Sequence, residues 1–187
     1  MKRLRIAILS ITVLFFTAFT KTSYDNYTIT HGQAGPFTIN SAFPGEGKHF
    51  GYDIVKKQTI RYAEDGADTL TIFHAQKEEI THIIIHPKFD NNALIEELEV
   101  VSPLYETKAG IGVGSSINDF YSYYNDAEAL FTFVSDSYWL ETRAVHGAQF
   151  QFQAKSHKGA PDTFEDLTIL EKNKIDTKGR IIKIRLF

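Results

Sequence analysis

The chain of 187 residues contains no cysteine, one methionine, one tryptophan and five prolines. Without cysteine there is no disulfide, no thiolate metal site, no cysteine nucleophile and no thiol to take an N-terminal lipid. The longest apolar run, Ile6 to Phe19, is broken only by Ser10, Thr12 and Thr17. At about 14 residues it is shorter than the roughly 20 needed to cross a hydrocarbon core as a helix. Helix signals are sparse, and no repeat of fixed period organises the chain. Neither sign of charge dominates, with 20 Lys+Arg against 23 Asp+Glu.

What is present is a hydrophobic fraction of 43% with 13% aromatics, enough to build a core and too much for disorder. Met1-Lys2-Arg3-Leu4-Arg5 followed by the short apolar run has the form of a secretory signal peptide over residues 1–20. Export to the periplasm or medium follows as an expectation, and membrane association would then come only through an uncleaved N-terminal segment. Discounting Lys2, Arg3 and Arg5 leaves 17 basic against 23 acidic side chains, a net charge of about −6 that makes nucleic acid an unsuitable partner.

Beyond residue 20, short alternating segments separated by polar turns predict an α+β domain over 24–187, mainly an antiparallel meander. Tyr24–Thr30 and Phe37–Asn40 read as short strands and Gly45–Gly51 as a Gly-rich loop. Tyr52–Tyr62, Asp68–His74 and Glu79–His86 then form a three-stranded meander. Its turns are Glu64-Asp65-Gly66 and Gln76-Lys77-Glu78. Ile95–Val101 makes a fourth strand. Later strands are placed at Leu130–Val134, Tyr138–Glu141, Ala148–Ala154, Leu167–Leu170 and Arg180–Phe187, the last with Ile182, Ile184 and Leu186 on one face. One short amphipathic helix is expected near 116–125. Ser116 and Asp119 have capping spacing there, and Ile117, Phe120, Tyr121 and Tyr124 recur at three- and four-residue steps.

Several of these segments carry a resemblance. Gly35-Pro36-Phe37-Thr38-Ile39, Ala42-Phe43-Pro44-Gly45, Gly66 to Ile72, Val101-Ser102-Pro103 and Gly110-Ile111-Gly112-Val113-Gly114-Ser115-Ser116 are similar, in order and spacing, to the RpoE-regulated lipoproteins. These are exported bacterial proteins whose domain has no known function. The resemblance covers roughly Gly32 to Tyr124 and implies an envelope location and a mixed β domain, with no known catalytic residues. Those relatives are usually anchored through a cysteine that follows the signal peptide, and this chain has none.

Three groups of residues are candidates for function. Gly112, Gly114, Ser115 and Ser116 precede the helix and could offer amides to an anion or lipid headgroup. The run is neither a Walker motif nor a dinucleotide fingerprint, and a tight turn with a helix cap is the plainer account of it. His82 and His86, four apart on a strand, would share a face about 13 Å apart, too far to chelate one metal alone, with His74 able to face either across the hairpin. Tyr124 and Trp139 belong to the densest aromatic stretch, which core packing explains and which could also line a glycan or peptide groove.

Carboxylates do not form a catalytic constellation in the sequence. Glu96, Glu97 and Glu99 read as a wet strand face, and Asp162, Glu165 and Asp166 fall in a loop after Pro161. His146-Gly147 beside Arg143 has no orienting partner nearby. The sequence therefore predicts a non-catalytic envelope module, binding or structural, with no cofactor and an envelope component or small ligand as partner. A metal-dependent hydrolase or metal-binding protein using the strand histidines is the alternative, and an anion binder at the Gly-rich turn a second.

Overall fold

The computed structural model describes residues 27–63, 66–88, 93–159 and 167–187, with 60–63 and 66–68 by backbone alone. The expected signal peptide over 1–20, Glu64 and Asp65 of the first meander turn, and the loop acids Asp162, Glu165 and Asp166 lie outside the described residues.

The strands, in chain order, are β1 (Thr28–Thr30), β2 (Gln33–Ala34), β3 (Phe37–Thr38), β4 (Gly47–His49), β5 (Tyr52–Ala63), β6 (Gly66–Lys77) and β7 (Ile80–Pro87). They continue with β8 (Ile95–Val100), β9 (Glu106–Thr107), β10 (Glu128–Thr132), β11 (Ser137–Glu141), β12 (Ala148–Phe152), β13 (Leu167–Ile169) and β14 (Ile181–Leu186). Helix α1 (Ile117–Tyr123) precedes β10. Ten strands form one antiparallel sheet in the order β13-β10-β11-β12-β14-β8-β7-β6-β5-β4. Two meanders, β4 to β8 and β10 to β12, are thus joined by the last strand, β14, which inserts between β12 and β8. A small sheet, β3-β2-β1-β9, includes one parallel pair, β1 with β9. The α+β class, mainly antiparallel sheet with one short helix among the described residues, is as the sequence predicts.

Alternation decides what the sheet buries, because successive strand side chains face opposite ways. Leu98 and Val100 of β8, Ile184 and Leu186 of β14, and Phe150 and Phe152 of β12 turn to one side and are almost wholly buried. Against that side pack Ile29, Ala34 and Phe37 of the small sheet, with Ile117 and Phe120 of the helix. The helix starts where its cap spacing places it. Ser116 Oγ accepts the Asp119 amide at 3.0 Å, and the Asp119 carboxylate returns to Ser116. It ends at Tyr123, since Tyr124 is extended.

Two local expectations are corrected. The β6–β7 turn is not Gln76-Lys77-Glu78: β6 runs on to Lys77 and β7 begins at Ile80, leaving a two-residue turn at Glu78-Glu79 with φ of 50° and 66°. A two-residue hairpin of this type takes left-handed backbone at both central positions, which Gly and Asn normally signal and two glutamates do not. Nor does Ile182 share a face with Ile184 and Leu186. Gln151 pairs with Lys183 but Phe152 with Ile181, so Ile182 is the extra residue of a bulge. It is 39% exposed, while Ile181 takes the core position.

Candidate ligand-binding face and cleft

The face of the large sheet turned away from the core is not apolar and not simply wet. Cross-strand register lines up Glu128 with Glu141, Gln149 with Arg185, Arg185 with Glu99, and Glu97 with His86. A parallel row runs Leu130, Trp139, Gln151, Lys183. Arg185 donates to Glu97 at 2.6 Å and the Lys183 ammonium lies 3.1 Å from Glu99. The Glu97 partner raises the Arg185 guanidinium pKa further above its usual value, burial opposing it. Gln149 Nε2 donates to Glu141 at 2.7 Å. Glu97 and Glu99, which the sequence reads as a wet strand face, are instead mostly buried in ion pairs.

The three predicted histidines are divided between the two sides. His74 and His86 lie on the polar face, where His74 Nδ1 is 3.0 Å from Thr81 Oγ1 and His86 Nε2 is 3.7 Å from Glu99. Burial, with Lys57 and then His86 adding to it, lowers the His74 pKa. His82 is on the core side, edge-on to Tyr52, because the β6–β7 register shifts between Ala75 and Gln76 and makes His82 the extra residue. The expectation that His82 and His86 share a face is therefore corrected by a bulge, which no residue type in Thr81-His82-Ile83 announces.

His82 Nδ1 is buried without a hydrogen-bond partner, and burial, then Lys77, holds its pKa below the usual value. The unfolded chain then binds the proton more readily, so stability is full above about pH 6.5 and falls as pH drops below it. Urea unfolding at pH 7.5 and 5.5 should show this loss in the natural protein and a smaller one in His82→Asn. Equal losses in both would remove His82 as the cause.

The Gly-rich turn is committed to the fold. Gly112 N donates to Ser115 Oγ, Gly114 N to the Ile181 carbonyl, Ile117 N to Gly179 and Asn118 N to Thr177. Ser116 N meets Asp119, so the amides an anion would need already have acceptors. Tyr124 is buried with its hydroxyl 2.8 Å from Thr107 Oγ1, and Trp139 is 5% exposed with the Lys183 ammonium 5.9 Å from its ring centre. Both therefore pack rather than project.

Beside the polar face opens a cleft of about 620 Å³ that the sequence does not disclose. Its walls bring together His31 of the β1–β2 turn, Asp126, Glu128, Glu141, the Arg143–His146 turn and Phe187. His31 stacks on His146 at 5.4 Å and 9°, and His31 Nδ1 donates to the His146 carbonyl at 2.6 Å. Asp126 accepts from the Thr142 hydroxyl at 2.7 Å and the Arg143 amide at 2.9 Å, which hold its carboxyl pKa below the ordinary value. The partner that His146 lacks in sequence is thus His31, 115 positions away. Arg143 and His146 are adjacent in sequence to the needed turn, but nothing in one dimension brings His31 or Phe187 beside them.

No protein-family model matches this chain, and no curated protein sequence does. Among solved structures, it is similar to the crystal structure of the uncharacterized protein YfeY from Escherichia coli. The identity is 14% and the TM-score 0.48, over 84% of this chain and 98% of that one.

Proposed function

We propose that the protein is an exported module of the bacterial cell envelope, of the kind its sequence segments resemble among RpoE-regulated lipoproteins, and that it holds a small ligand rather than transforming one. The single observation that carries the binding reading is the 620 Å³ cleft, whose size is that of a ligand pocket and whose charged and aromatic walls come from the large sheet, its flanking turns and the β1–β2 turn. Export is supported by the basic start and short apolar run of residues 1–20. Membership is supported by the placing of the resembling segments at turns and core contacts: Phe37 is buried, and Phe43 packs on Phe73 with ring centres 4.3 Å apart. Such positions fix a fold and leave the ligand to the loops and strand ends around the cleft.

The test is native mass spectrometry on the untagged protein recovered from the envelope fraction of its own host, followed by a small-molecule screen read by NMR. The expected mass is that of a chain shortened by about 20 residues, and binding should shift signals of His31, His146 and Gln149. Recovery in the cytosol with the first 20 residues intact would overturn export. Ligand shifts centred elsewhere, and unaffected by Glu141→Lys, would overturn the cleft.

A further inference from the structure

His86 of β7 and Glu97 and Glu99 of β8 lie on the same polar face, and one ligand atom of each falls within 4.8 Å of the others. All three side chains are at least four-fifths buried. His86 Nε2 has no hydrogen-bond partner and is closed off from solvent, although it stands 3.7 Å from Glu99 Oε1. A buried ring nitrogen left without a partner is costly, and native structures normally give such an atom a proton donor, an acceptor, water or an ion. Each carboxylate meets its cation through one oxygen, Glu97 through Oε2 to Arg185 and Glu99 through Oε1 to Lys183. Among the described residues the second oxygen of each has no hydrogen bond or ion pair.

We propose that His86, Glu97 and Glu99 bind a divalent transition-metal ion of the zinc class. One imidazole and two carboxylates are a donor set for such an ion, whereas calcium would require six to eight oxygens. With metal–ligand distances of about 2.0–2.2 Å, a tetrahedral site separates its ligand atoms by roughly 3.4 Å. The cluster reaches that by side-chain rotation, with the paired backbones of β7 and β8 unmoved. Three protein ligands leave a fourth position to water. Arg185 orients Glu97 from behind, as outer hydrogen bonds do for ligating carboxylates. Lys183 has the opposite effect: its ammonium competes for Glu99, and at 26% exposed it can withdraw to solvent when the ion enters.

That competition gives the test its sign. Metal-free, untagged protein is titrated with Zn²⁺ by calorimetry and with Co²⁺ by visible absorption. One ion per chain is expected, with absorption of a four- or five-coordinate cobalt site. His86→Gln and Glu97→Gln should each weaken binding at least tenfold, while Lys183→Gln should tighten it severalfold. Folding of each variant is checked by the emission of the lone tryptophan, Trp139. The proposal is overturned by absence of saturable one-to-one binding, by undiminished affinity in His86→Gln, or by weaker binding in Lys183→Gln. None of these results bears on the cleft, which shares no residue with this site.

Discussion

Phe150→Ala should lower the unfolding free energy by roughly 3–5 kcal/mol, the cost of deleting a large aromatic side chain from a core that cannot collapse around the gap. Phe150 has no solvent exposure. It sits on β12, paired to Ile184 of β14 on one side and Leu140 of β11 on the other, and meets the ring of Phe120 with centres 4.9 Å apart at 62°. It therefore fastens three things at once: the second meander, the closing strand and the only α-helix among the described residues. The backbone pairing on both flanks keeps the strands from moving in to fill the void. Urea unfolding followed by Trp139 emission measures the loss directly. Phe150→Leu, which keeps most of the volume, should cost under half as much, and a loss below 1.5 kcal/mol in the alanine variant would show that this position is not a packing centre.

Gly112→Ala should destabilise by about 3 kcal/mol, at the upper end of what overpacking costs. The reason is contact, not backbone conformation. An added methyl group would fall on the carbonyl oxygen of Tyr105 and stand 3.2 Å from its carbonyl carbon. That carbonyl belongs to backbone held between Tyr27, through the Glu106 amide, and the Glu106–Gly112 bridge, so it cannot yield cheaply. Two residues on, Gly114 offers the opposite case: its φ is 94°, but no atom stands within 4 Å of an added methyl. Gly114→Ala should pay only the strain of an unfavourable dihedral, roughly 1–2 kcal/mol. Thermal and urea unfolding of the pair should rank Gly112→Ala clearly below Gly114→Ala, and the reverse order would sink this account of the turn. The glycines that suggest an anion site in the sequence thus have packing and turn roles in the structure.

Legibility followed the range of the interaction that decides each feature. The long strands, the four-strand run from Tyr52 to Val100 and the capped helix at Ser116 are local patterns, and they appear where period and cap residues place them. The bulges at His82 and Ile182 are not local, because each is set by how a neighbouring strand aligns, and each moves a side chain to the other face. The small sheet was only half visible. Phe37 and Thr38 read as strand, but the parallel pairing of β1 with β9 joins residues far apart in the chain. Sites were least legible of all. In the sequence His86 stands out by its spacing to His82, yet its neighbours in the structure are Glu97 and Glu99, which alternation alone marks as solvent-facing.

The amino-acid sequence by itself determined that the domain is an α+β fold dominated by antiparallel strands, where its helix begins, and that cysteine chemistry is absent. Those follow from composition, period-two alternation and a capping pair, all of which act over a few residues. Tertiary structure alone decided that β14 closes the sheet between β12 and β8, which carries Arg185 to Glu97 and Lys183 to Glu99 across more than 80 positions. It alone stacked His31 on His146 beside Glu128 and Glu141 to open the cleft. The physical reason is that strand register is fixed by burying one whole face at once, and the polar face then receives whatever partners that register brings opposite one another.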